Sequence, residues 1–157
     1  MSVKIFLHGL ESSGQGTKGV FFRERYPDMI IPTFTGGLQE RMEKLYDILS
    51  GKSDIRFVGS SFGALMASLF AMENETRVEK MVLLAPAINL IGLAAEKSKT
   101  ISVPVRIYHG RGDQVIPLGE VESIAKKTFP NLSFHAVDDD HFLHRTFKII
   151  DWDSLLF

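Results

Sequence analysis

The sequence predicts an α/β protein in which a parallel sheet is covered on both faces by helices. Three observations predict it. Short apolar runs of strand length alternate with longer segments of helical period along the whole chain. The runs are apolar at consecutive positions, as in strands buried on both faces. The chain has 157 residues, enough for one domain (1–157) with a proper core and few for two.

The elements follow in order. Val3–Leu7 (VKIFL) is an apolar strand, and Thr17–Tyr26 a helix ending before Pro27. Met29–Ile31 is a short strand closed by Pro32. Leu38–Leu49 carries apolar residues at 38, 42, 45, 48 and 49, a helical stripe, and Gly51 follows where a helix ends. Ile55–Val58 is a strand and Ser61–Met72 a helix. Met81–Ala85 (MVLLA) is a strand stopped by Pro86. Ile88–Ala95 is a short apolar helix or loop. Val103–His109 is a strand, Leu118–Thr128 a helix, Leu132–Val137 a strand, and Phe142 to about Trp152 a final amphipathic helix. Six strands alternating with helices, joined by right-handed crossovers, restrict the topology to a few doubly wound forms.

Composition excludes several classes. The net charge is −1 with no run of Lys or Arg, so no nucleic-acid or anionic-membrane surface is indicated. There is no cysteine, which removes disulfides, thiolate metal sites and a Cys nucleophile. No apolar run approaches the roughly 20 residues of a membrane span, and MSVKIFLHG lacks the features of a signal peptide. A cytoplasmic protein is the default expectation.

The stretch that carries chemistry is DIRFVGSSFGALMA (54–67). It holds Gly59-Ser60-Ser61-Phe62-Gly63, a G-x-S-x-G with an apolar strand running in and a helix running out. That context makes it a nucleophile elbow, which projects the Ser61 hydroxyl above the sheet edge. Gly59 and Gly63 remove side chains that would collide with the turn. Ala64, Ala67, Ser68 and Ala71 let the helix lie close to the sheet. Ser60 competes as nucleophile, but only Ser61 has glycines at both flanking positions.

A serine needs a base to take its proton and an acid to orient that base. In this architecture they follow in the order Ser, acid, His, each just past a strand. Asp113 lies in HGRGDQVIP (109–117), after the strand Val103–His109, and His141 in DDDHF, after the last strand. Of the five histidines, His8 belongs to the first loop, His109 ends a strand, His135 lies within one, and His144 falls in the predicted last helix. Only His141 occupies the base's loop. Asp138, Asp139 and Asp140 beside it are expected to favour its charged form.

On His8-Gly9, Gly59-Ser60-Ser61-Phe62-Gly63, HGRGDQVIP and His141-Phe142, the chain resembles the compact α/β-hydrolases, notably small bacterial esterases without a lid domain. The resemblance spans nearly the whole chain. It implies a three-layer core whose six parallel strands run in the order 2-1-3-4-5-6. It also implies a Ser61–Asp113–His141 triad, with the oxyanion held by the backbone amides of Leu10 and Phe62. The chain departs from the pattern where the family often has a glycine shortly before the histidine.

Other signals compete less well. Gly14-x-Gly16-x-x-Gly19 has the spacing of a dinucleotide-binding turn, but the strand ends seven residues before Gly14, and Asp28 starts the next strand rather than closing it. No Lys follows these glycines at phosphate-loop spacing. They are expected to form a flexible loop beside the site. Asp138–Asp140 with His141 and His144 could suit a divalent ion, but consecutive side chains point in different directions. Residues 88–95 could form a flap over an acyl pocket, though core packing is the simpler role. The expected activity is serine hydrolysis of carboxylic esters or thioesters, with a small-molecule substrate and no cofactor or metal. The alternative is a non-enzymatic scaffold on the same fold.

Overall fold

A computed structural model describes residues 2–94 and 99–157. Its strands are β1 (Val3–Leu7), β2 (Ile55–Ser60), β3 (Val78–Leu84), β4 (Val105–Gly110) and β5 (Leu132–Val137). The helices are α1 (Thr17–Arg25), α2 (Leu38–Ile48), α3 (Phe62–Glu73), α4 (Ile91–Ala94), α5 (Leu118–Thr128) and α6 (Trp152–Leu156). The five strands form one parallel sheet in the order β1-β2-β3-β4-β5.

The strands β1 to β3 are largely apolar on both sides because both sides are covered, whereas the edge strand β5 carries Ser133 and His135 and is only partly buried. Ile5, Leu7, Phe57, Leu83 and Ile107 face a cluster completed by α2, α3 and α5, where Leu45, Ala67 and Val121 are fully buried. Phe6, Val58, Val82 and Leu84 face a second cluster built from α1 and α6. There Phe22 meets Trp152 edge-on at 4.9 Å between ring centroids. Each such buried side chain contributes about 1.5–3 kcal/mol of transfer free energy. Nine of the twelve residues of α3 are buried, so this helix is apolar all round rather than amphipathic, and its small residues allow the close approach.

Three expectations are corrected. The sheet has five strands, not six in the order 2-1-3-4-5-6. Met29–Ile31 does lie beside β1, but only Ile30 pairs, in one parallel bridge to Ile5. Ile30 N–H donates to Lys4 O at 2.9 Å and Phe6 N–H to Ile30 O at 3.0 Å. Pro27 and Pro32 bracket the segment and offer no N–H to extend the ladder.

The second concerns the chain from Phe142 to Trp152, which is not a helix. It is a series of turns with a short 3₁₀ stretch at Phe147–Ile149, and only Trp152–Leu156 is α-helical. Leu143 takes φ +54°, a left-handed conformation that no continuous helix contains. Asp139 instead accepts the amides of Arg145 (3.0 Å) and Thr146 (2.7 Å).

The third concerns Gly14, Gly16 and Gly19, expected in a flexible loop: Gly19 lies within α1, and the three pack tightly. A Cβ on Gly19 would stand 2.2 Å from Gly14 O, and one on Gly14 3.0 Å from Ile31 O. Residues 88–94 form a 3₁₀ turn and α4 with Ile88 and Ile91 buried in the core, as packing rather than a flap requires; Ala95 lies outside the described residues.

Candidate active site

Four loops leave the C-terminal ends of the strands, and the site is built from them. After β2 the chain turns at Ser61 with φ 53° and ψ −112°. A non-glycine residue there is strained by about 1–3 kcal/mol, and its surroundings must hold it in place. They do so with four backbone hydrogen bonds. Ser61 N–H donates to Leu84 O (2.8 Å), and Ser61 O accepts from Ala64 (3.1 Å), Leu65 (3.4 Å) and Ala87 (3.0 Å). The flanking glycines are required by space. A Cβ on Gly59 would lie 2.7 Å from Ala64 Cα, and one on Gly63 2.0 Å from Leu7 O.

The β4 and β5 loops bring Asp113 and His141 together. Asp113 Oδ1 accepts the amides of Val115 and Ile116, each at 2.8 Å. Asp113 Oδ2 accepts from His141 Nδ1 at 2.7 Å, with the carboxylate fully buried and the imidazole 12% exposed. Two glycines make this meeting possible. A Cβ on Gly110 would stand 2.4 Å from Asp139 O, and Gly112 N–H donates to Asp139 O at 3.0 Å. The glycines of close approach therefore sit in the acid's loop, facing the histidine loop.

The three carboxylates before His141 each have other partners. Asp138 pairs with Arg111 (2.8 Å) and Asp140 with His144 (2.6 Å), which holds the Asp140 carboxyl below its usual range. Burial pushes the Asp139 carboxyl up, but the amides of Thr146, Asp140 and Arg145 outweigh it and leave the group below its usual range. Among the described residues no three His, Asp or Glu side chains converge as a metal site would require.

Ser61 and His141 line one cavity of about 480 Å³, together with Gly9, Leu10, Val115 and Phe142. It opens above the sheet edge. Among the described residues no direct hydrogen bond joins the Ser61 hydroxyl to His141. Such contacts are often long without substrate and tighten when it binds.

Solved structures share this arrangement of elements. Est1E from Butyrivibrio proteoclasticus, solved with ferulic acid bound, matches with a TM-score of 0.74 at 16% identity, covering 95% of this chain and 85% of that one. An esterase of Pyrococcus furiosus matches at 0.69 and 22% identity, covering 98% and 79%. Mouse alpha/beta hydrolase domain-containing protein 10 matches at 0.73 and 16%, covering 88% and 81%. The chain has the α/β-hydrolase fold. No protein-family model and no curated protein sequence matches it.

The two residues whose amides are expected to meet an oxyanion are Phe62, directly after the serine, and Leu10, which lines the same cavity. Leu10 is half exposed at the cavity. Phe62 opens α3, so its N–H is among those that a helix leaves unpaired. A Cβ on Gly9 would come within 3.4 Å of Ser61 Cβ, which measures how closely the first loop approaches the serine.

Two histidines matter more than the sequence indicated. His8 is buried, and its Nε2 accepts Phe34 N–H at 2.8 Å, so Nδ1 carries the hydrogen donated to Gly9 O at 2.7 Å. Burial lowers its pKa and favours this neutral form. His8 thus fixes the turn that presents Gly9 and Leu10. His109 is also buried, beside Asp113. Its only signal in the sequence is its place four residues before the acid. Lys18 Nζ, which donates to Phe142 O at 2.8 Å, ties α1 to the histidine loop.

Proposed function

We propose that the protein is a serine hydrolase of carboxylic esters or thioesters. The observation that carries this is the His141–Asp113 pair, 2.7 Å apart, lining the same cavity as a serine held at φ 53°. Ester-cleaving neighbours of the same fold support the substrate class.

Ser61 Oγ attacks the carbonyl carbon and His141 Nε2 takes its proton. Asp113 Oδ2 keeps the Nδ1–H in place and stabilises the imidazolium that forms. The amides of Leu10 and Phe62 donate to the oxyanion, and the α3 N-terminus adds partial positive charge. The imidazolium then gives its proton to the departing alcohol or thiol, leaving an acyl group on Ser61. Water, deprotonated by His141, attacks the acyl carbon and releases the acid. A side chain or amide of this chain meets every proton and charge, so the scheme uses no cofactor or metal. We infer a small-molecule substrate and a cytoplasmic site of action.

The test is turnover of 4-nitrophenyl butyrate and of an acyl thioester by the wild type and by Ser61→Ala, Asp113→Asn and His141→Gln. The expected result is burst-phase hydrolysis by the wild type and a fall of at least about 10³-fold in kcat in each variant. A folded wild type inert towards every ester and thioester would reject the proposal and favour a binding scaffold.

A further inference from the structure

Two imidazoles meet one carboxylate at the acid's loop. Asp113 Oδ1 is tied by the amides of Val115 and Ile116. Oδ2 accepts from His141 Nδ1 at 2.7 Å and also lies 3.3 Å from His109 Nε2. His109, fully buried at the end of β4, has the same Nε2 2.9 Å from Ile116 O. Both neighbours of that nitrogen are acceptors, so the hydrogen of the ring sits there. Its Nδ1 is then buried with no partner among the described residues.

An orphaned buried nitrogen is costly, and an apolar side chain of similar size would close the strand end without it. The compensation lies at Nε2. Apart from the His109 nitrogen 3.3 Å away, the one donor to Oδ2 among the described residues is His141, the very group that this oxygen must orient. Without His109, the two amides on Oδ1 would be the remaining restraint on the carboxylate whenever His141 moved.

We propose that His109 is a positioning residue for the acid: its Nε2–H, shared between Ile116 O and Asp113 Oδ2, holds that oxygen toward His141 through the catalytic cycle. This rests on Ser61, Asp113 and His141 being the triad.

The test compares His109→Leu, His109→Gln and His109→Asn with the wild type on 4-nitrophenyl butyrate, after thermal unfolding has shown which variants are folded. The Gln amide nitrogen reaches the place of Nε2, whereas the Asn nitrogen reaches only that of Nδ1. His109→Leu and His109→Asn are expected to lose about 10- to 100-fold in kcat with KM little changed, the range for losing one hydrogen bond to a charged group. His109→Gln is expected to recover most of that loss. The downfield proton resonance of the His141–Asp113 hydrogen bond, assigned by its absence in His141→Gln, should weaken in Leu and Asn and persist in Gln. The Gln and Asn pair decides the matter even if the Leu variant does not fold. An active wild type with equal kcat and an unchanged resonance in all folded variants overturns the role of His109 and leaves the triad standing. A folded wild type inert towards every ester and thioester overturns both.

Discussion

Gly63→Ala probes how the fold creates the site. The new methyl carbon would lie 2.0 Å from Leu7 O, 2.5 Å from Leu7 C and 2.8 Å from His8 O. All three are backbone atoms that cannot swing aside. A carbon–oxygen contact needs about 3.3 Å, so α3 and the end of β1 must part by about 1.3 Å. Leu7 is fully buried and paired with Gly59, so the strand resists and the helix start moves. Overpacking of this kind costs about 1–3 kcal/mol, or about 2–12 °C in Tm for a chain of this length. The atoms displaced carry Phe62 N–H and the first loop. A shift of about 1 Å there should lower kcat about 100-fold. The assay is thermal unfolding by circular dichroism alongside 4-nitrophenyl butyrate turnover. Gly119→Ala in α5 is the reference, because a Cβ there meets nothing within 4 Å; it should leave Tm unchanged or raise it. Gly63→Ala with wild-type Tm and kcat would refute the spatial argument.

Trp152→Ala removes the ring that packs on Phe22 and Phe147 beneath the sheet. It should cost about 3–5 kcal/mol by denaturant titration, and a loss under about 1 kcal/mol would contradict the packing described. Tyr26 is pushed up to about 12, by burial first and then by its 2.6 Å hydrogen bond to Asp153. Its folded value exceeds its unfolded one, so its contribution is complete below pH 10 and is lost as pH rises toward 12. The stability gap between the wild type and Tyr26→Phe should therefore shrink across that window, and a constant gap would contradict the assignment. Asp139 has the opposite sign. Its lowered value means that the contribution is present at neutral pH and disappears under acid, so Asp139→Ala should narrow its deficit to the wild type on acid titration below about pH 4.

Which parts of the molecule were legible in the sequence follows from the range of the interactions that fix them. The strands were legible because burial on both faces leaves a local run such as Met81–Leu84. Ser61 was legible because the elbow writes its own glycines on either side. Asp113 and His141 were placed by chain order and by their loops just past strands, and the contact between them depends on Gly110 and Gly112 receiving the backbone of Asp139 across the loop boundary. The failures have tertiary causes. Ile30 sits beside β1, but two prolines limit the pairing to one bridge, which periodicity cannot reveal. The apolar spacing after Phe142 reads as a helix, yet Leu143 turns left-handed with no glycine to announce it. The acidic run beside His141 did not announce the partners, Arg111, His144 and backbone amides, that its carboxylates find. His8 and His109 find partners at Phe34 and Ile116 that sequence pattern could not supply.

The central claim is that Ser61 is an activated nucleophile, and fluorophosphonate labelling mapped by mass spectrometry tests it most directly. The predicted result is a single adduct per chain on Ser61, lost in Ser61→Ala and slowed in His141→Gln. No adduct on the folded protein, or one on Ser60 that survives Ser61→Ala, would contradict it.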